Sequence, residues 1–264
     1  MEWAGHEVTP KNELNGIAFQ GVGRGTTVDH IQVHMNADDG VEFFGGTVNV
    51  KHVLLTGILD DSLDWTDGWR GKAQFVIVEQ YDDKANNGIE ADNFGDNNDV
   101  TPRSAPQIAN LTFIGSESDS VEGGAGILLR EGTEATIYNA LVTGFKDACL
   151  DIDDRSTFVN GEKLNEDTGY NRLAMINSIV DCKNNFKRDP DDVFSVKGWF
   201  LGQEGNEVAN PQLKGFFPAE GSPAYRGVDL TPFDLEFFFD PVDYVGAITP
   251  DNDWTAGWTT SARK

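Results

Sequence analysis

Basic residues are scarce in this chain. Twenty Lys and Arg stand against 44 Asp and Glu, for a formal net charge of −24 over 264 residues. A surface of that sign repels nucleic acid and anionic lipid, because binding either depends on cations that neutralise phosphates. It suits divalent cations, a saline medium or cationic partners. Long apolar runs are absent too, so direct membrane insertion is not expected. No Gly-x-Ser-x-Gly elbow, His-Glu-x-x-His pair or phosphate loop occurs, and those reaction classes lose support. The two cysteines, Cys149 and Cys182, make no disulfide framework. They are expected to be small buried hydrophobes, with a single bridge as the alternative.

Glycine, at 29 residues, and aromatics, with 17 Phe and 6 Trp, are abundant. Short β-branched runs between glycines point to strands and turns rather than helices. The strands repeat. A first strand reads Asn15-Gly-Ile-Ala-Phe19, Asp39-Gly-Val-Glu-Phe43, Asp61-Ser-Leu-Asp-Trp65 and Asn87-Gly-Ile-Glu-Ala91, with weaker copies at Ala125–Leu129 and Ala148–Ile152. The shared formula is Asx, small, apolar, variable, apolar. A second strand follows each first one: Val28–Val33, Val50–Leu55, Ala73–Val78, Ile108–Phe113, Ile137–Val142 and, loosely, Leu173–Ser178.

First strands begin at residues 15, 39, 61, 87, 125 and 148. Steps of about 22 to 26 residues match one turn of a three-faced β-solenoid, and the one longer step holds an insertion. The expected fold is therefore all-β: a right-handed, single-stranded parallel β-helix with loop insertions, occupying residues 1–264 as one domain. Residues 91–106, 153–171 and 183–198 read as loops leaving the spiral, and 199–264 as an irregular closing segment. Glu2-Trp3-Ala4-Gly5-His6 reads like the tail of a strand already under way, so upstream coils are expected and the chain is expected to be the C-terminal part of a longer protein. An uncapped first coil would favour self-association there.

Three stretches, Asn12–Phe19, Asp38–Gly46 and Asp60–Gly71, resemble a group of bacterial surface proteins, many of them lipoproteins, that share the pectate-lyase-like β-helix architecture. The closing motifs Asn210-Pro-Gln-Leu213, Gly221-Ser-Pro-Ala224 and Asp243-Tyr-Val-Gly-Ala247 fit the same group. The matches span residues 2–258. The resemblance implies a secreted or cell-surface protein, associated with the outer membrane in its full-length form. Its motifs are specific for fold and kinship and carry no activity with them.

Alternation along a strand gives the repeat its chemistry. If Val41 and Phe43 point inward, Glu42 points outward, and stacking aligns Glu42, Asp64 and Glu90 on adjacent rungs about 4.8 Å apart. Like charges at that spacing repel, so a cation, a nearby Arg or Lys, or raised pKa values must offset them. Arg70, beyond the turn after Asp64, is placed to fold back onto the ladder. Ca²⁺ suits clustered carboxylates, and Glu42, Asp61, Asp64, Asp67 and Glu90 are its candidate ligands, with Asp60, Asp82 and Asp83 near in sequence. The alternative is a solvated acidic face with Arg70 in an ordinary ion pair.

Asn15, Asp39, Asp61 and Asn87 are expected to stack and bond turn backbone. Phe19, Phe43 and Trp65 are expected as an internal aromatic stack. His30 and His52 hold equivalent places, and a paired structural role is favoured because a transition-metal site wants a third ligand; His34 would serve only if its strand bends. His6 carries no signal. Trp69, expected in an exposed turn, joins Trp65, Tyr81 and Arg70 as a candidate sugar-binding surface, with a role capping the core as the alternative.

Three functions follow. The first is a secreted or surface β-helix that binds an extracellular polysaccharide or another cell-surface component, with Ca²⁺ as its cofactor. The second is a polysaccharide lyase or glycoside hydrolase using Asp64, Glu42, Glu90 and Arg70. The third is a structural or adhesin spacer.

Overall fold

The computed structural model describes residues 1–2, 4–5, 8–9, 14–226, 230 and 238–260. His6, Asn12 and Glu13 lie outside the described residues. First strands are β1 (Ile17–Gln20), second strands β2 (Thr27–His34), and the pairs continue as β3 (Val41–Phe44) and β4 (Asn49–Thr56), then β5 (Leu63–Thr66) and β6 (Lys72–Glu79). They go on as β7 (Ile89–Ala91) and β8 (Gln107–Ile114), β9 (Ala125–Leu129) and β10 (Ala135–Thr143), and β11 (Ala148–Ile152). The helix α1 (Arg155–Asn160) precedes β12 (Leu173–Ile176) and β13 (Ile179–Asp181); α2 (Val196–Leu201) precedes β14 (Glu207–Val208), β15 (Leu213–Lys214) and β16 (Phe217–Pro218).

All odd-numbered strands from β1 to β11 form one six-stranded sheet, and the even-numbered strands from β2 to β10 with β13 and β14 form a second, to which β12 adds by pairing with β10. Every pair in both sheets is parallel. This is the parallel β-helix. The first-strand alignment holds residue by residue: Val41 pairs with Leu63 and Leu63 with Ile89. The loose copy is shifted by two. Met175, not Leu173, stands opposite Ile137, which puts Asn177 under Asn139. Helix α1 lies in a segment whose polar, charged composition read as loop, and α2 runs from the end of another such segment into the closing segment.

The third face comes from a bend inside each long strand. Pairing runs through Asp29↔Lys51 and resumes at Ile31↔Val53. The skipped residues, His30, His52, Phe75, Asn110, Asn139 and Asn177, all have φ between 49° and 61°. A left-handed residue turns the chain a corner, and Asn is the non-glycine residue that adopts it most readily. Asn177 Nδ2 donates to Asn139 Oδ1 at 2.7 Å, so the corner is also a side-chain ladder.

The Asx formula has a matching cause. Asp39 Oδ1 accepts from the Asp61 amide, Asp61 Oδ1 from the Asn87 amide at 2.7 Å, and Asn87 Oδ1 from the Ala125 amide at 2.8 Å. The small residue that follows must be small: a Cβ on Gly40 would sit 2.5 Å from the Ser62 carbonyl oxygen. Val41, Phe43, Leu63, Trp65 and Ile89 fill the interior with Val53, Leu55 and Val76 from the second sheet.

The closing segment runs back over the outer face of the second sheet. Ala247 and Ile248 pack on Leu54 and Ile77, Val245 on Leu141 and Ile179, and Phe239 on Ala109 and Tyr138. Polar contacts fix its path: Gln74 exchanges two hydrogen bonds with Asp240 backbone, and Gln32 two with Thr260. Cys149 and Cys182 are bonded to each other. This corrects the expectation of two free thiols; β11 and the residue after β13 lie on neighbouring coils, with Cα atoms 5.6 Å apart.

Candidate functional site

The carboxylate ladder forms as the alternation requires. Glu42 is in register with Asp64, and Asp64 with Glu90. The ladder ends at Ala18 on one side and Leu128 on the other. Its two halves are compensated differently.

At the Glu90 end the charge is met by Arg130, whose guanidinium bonds Glu90 and reaches Asp92 at 2.9 Å. The residue expected to do this, Arg70, does not. Its side chain is exposed on another part of the coil, where it lines a groove of about 370 Å³ with Arg24, Lys72 and Arg172. Glu134 lies in the same groove and pairs with Arg172 at 3.2 Å. Arg130 was the missed residue. The signal was present, because the offset of 38 that pairs Glu90 with Leu128 also puts Arg130 opposite Asp92.

At the other end, oxygens of Asp39, Glu42 and Asp64 lie within 4.8 Å of one another. All three side chains are buried, Asp64 to 9% exposure. Asn15 Nδ2 donates to Glu42. Asp64 Oδ1 is buried with no hydrogen-bond partner among the described residues. Asp38 and Asp60, less buried, stand with Asp39 at the mouth of the cluster. Burial pushes Asp39 up to about 9 and Asp61 up to about 7, with neighbouring carboxylates adding to both. Burial likewise raises Asp64 and Glu42, and raises Glu90 against the opposing pull of Arg130. Uncompensated charge is expensive in such a place, so these groups hold protons or a cation.

The remaining expectations divide. Asp61 is committed to the Asx column, its Oδ1 accepting the Asn87 amide. Asp67 is no part of the cluster: it is an exposed turn residue with φ 56° whose amide donates to Asn93. Asp82 accepts from Ser116 Oγ at 2.7 Å.

The sugar-stacking surface does not exist as proposed. Trp69 and Trp65 are 0% exposed and Tyr81 7%. The turn folds the Trp69 indole inward, where it lies between Phe43 and Trp65 and donates from Nε1 to the Val48 carbonyl. Trp69 therefore caps the core, interrupting the expected Phe43–Trp65 stack, while Phe19 stacks on Phe43 at 5.1 Å. Tyr81 packs edge-on to His34, whose Nδ1 is 2.7 Å from Thr56 Oγ1.

A profile for the pectate-lyase-like β-helix domain matches residues 1–259. The chain belongs to this family. Neither a curated protein nor a solved structure matches it. Membership of the pectate-lyase-like β-helix family supports a polysaccharide-related protein and goes no further. Among the described residues no helix is long and apolar enough to cross a membrane.

Proposed function

We propose that this protein is a secreted or cell-surface polysaccharide-binding β-helix that holds Ca²⁺ at Asp39, Glu42 and Asp64. One observation carries the cation: Asp64 Oδ1, buried among carboxylates on adjacent coils with no hydrogen-bond partner among the described residues. An orphaned buried acceptor costs stability unless a proton or cation meets it, and Ca²⁺ accepts irregular sets of oxygen ligands. Asp38 and Asp60 at the mouth add attraction for a divalent ion. The groove lined by Arg24, Arg70, Lys72 and Arg172 against Glu134 and Asp167 keeps a local excess of positive charge, with Arg70 exposed, for the carboxylates or sulfates of an acidic polysaccharide. The Cys149–Cys182 bond supports export, because such bonds persist in oxidising compartments.

Affinity electrophoresis through gels carrying acidic or neutral polysaccharides tests the reading. The protein is expected to be retarded by an acidic polymer in Ca²⁺, less so in EDTA, and less so as R70E. Free migration through every polymer would remove the proposal.

Hydrolysis is the second reading, favoured by carboxylates of raised pKa beside others on the next rung, which is how an acid and a base are set apart. It predicts new reducing ends from the retarding polymer, abolished in E42Q and D64N. The lyase reading loses Arg70 as its base, because Arg70 is not at the ladder, and Arg130, which is, is held in ion pairs with Glu90 and Asp92.

A further inference from the structure

We propose that Asp29, His30 and His52 form a transition-metal site at the first corner of the spiral, taking Zn²⁺ or Cu²⁺. The sequence offered two equivalent histidines and no third ligand. The structure supplies one, and it is not His34. Asp29 Oδ1 lies 2.9 Å from His30 Nδ1 and 2.7 Å from His52 Nδ1. One oxygen and two ring nitrogens from adjacent coils thus lie within 4.8 Å of one another.

The corner creates this geometry. Both histidines occupy the left-handed position, with φ 53° each, which turns their rings out of the wall and sets them side by side, tilted by 30° with centroids 4.2 Å apart. Further along the same column the station is held by Phe75 and then by Asn110, Asn139 and Asn177. Among the described residues, imidazole therefore holds this station on just the two rungs where one carboxylate reaches both rings.

The donor set is right for the ion. Two imidazoles and one carboxylate are the ligands of open zinc sites, which leave positions for water or a bound group. They prefer Zn²⁺ or Cu²⁺ to Ca²⁺, which takes oxygen alone. Tetrahedral bonds of about 2.0–2.1 Å would place donors roughly 3.3 Å apart. Each contact must open by about half an ångström and the rings, 30° from parallel, must turn toward one ion, which Asp29 and His30 allow around a less exposed His52, the three side chains being 44%, 45% and 17% exposed. Binding at Nδ1 moves each ring proton to Nε2, so neutral histidines bind without net proton release.

Two tryptophans of the closing segment give a readout. Trp254 lies 5.2 Å from the His52 ring and Trp258 5.4 Å from the His30 ring. In chelator-stripped protein, Zn²⁺ calorimetry should show one saturable equivalent, weakened at least tenfold by H30Q, H52Q and D29N and unchanged by D64N. Cu²⁺ should quench tryptophan fluorescence in the wild type and far less in W254F/W258F. His30 is exposed enough that H30Q keeps the fold, which circular dichroism checks. No saturable Zn²⁺ binding, or binding that survives H30Q and D29N, would overturn the assignment. Either result leaves the Ca²⁺ reading of the ladder untouched, since the two sites share no residue.

Discussion

Trp69 lies flat on Phe43, ring centroids 3.9 Å apart and planes 7° from parallel. The contact joins a turn of one coil to a core strand of the coil before it. Trp69→Ala removes the stack, the Val48 hydrogen bond and a fully buried side chain, so a loss of about 3–5 kcal/mol is expected. Urea denaturation measures it. Arg70→Ala, one residue on and exposed, should leave the midpoint unchanged.

Reduction should be nearly as damaging. The Cys149–Cys182 bond spans a sequence separation of 33, and closing a loop of that size stabilises by roughly 3–4 kcal/mol in the chain-entropy account. C149S/C182S, or wild type in strong reductant, should unfold at correspondingly lower urea. An unchanged midpoint would show that packing of β11 against its neighbours suffices alone.

Arg130 is the cation the ladder depends on at its far end. Arg130→Gln leaves Glu90 and Asp92 facing each other in a buried place. Breaking a fully buried pair costs more, but the Arg130 side chain is 34% exposed, so about 1–2 kcal/mol is expected. The loss should grow with pH as the carboxylates ionise.

Without divalent cations the protein should weaken as the solution becomes alkaline. Asp39 and Asp61 are held up at about 9 and about 7, against ordinary values of 3.8. The folded chain therefore binds these protons more tightly than the unfolded one. The stability they contribute is full below 3.8 and is lost as pH rises through about 7 and then about 9. In EDTA the urea midpoint should fall across that window. Asp39→Asn, which keeps the oxygen that accepts the Asp61 amide, should flatten the fall; a midpoint rising with pH would contradict the account.

The parts legible in the sequence were those set by local repetition. Asx and glycine recur because each Asx side chain bonds the next rung and each glycine touches its carbonyl, so residues 15, 39, 61 and 87 mark the stations directly. The ladder followed from parity alone. What failed depended on where a turn sends a side chain. Trp69 and Arg70 are neighbours, and the turn buries the first and exposes the second, the reverse of the roles expected for them. Arg130 was legible from the 38-residue step that aligns residues 87 and 125, but it lies one residue past the strand that the repeat formula covers. The corner at His30 was hidden because Phe75 shares the station, and a phenylalanine gives no sign of a left-handed backbone.

The most direct test of the central claim is the melting of wild type and Asp64→Asn, each in EDTA and in ~1 mM Ca²⁺, the range of extracellular sites, near pH 8. In EDTA the variant should melt higher, because a neutral amide replaces a buried carboxyl group crowded by the Asp39, Glu42 and Glu90 carboxylates. In Ca²⁺ the order should reverse, since only the wild type keeps the full set of ligands. A wild-type melting temperature that Ca²⁺ does not raise, or a gain of the same size in both proteins, would contradict the assignment of a cation to this ladder.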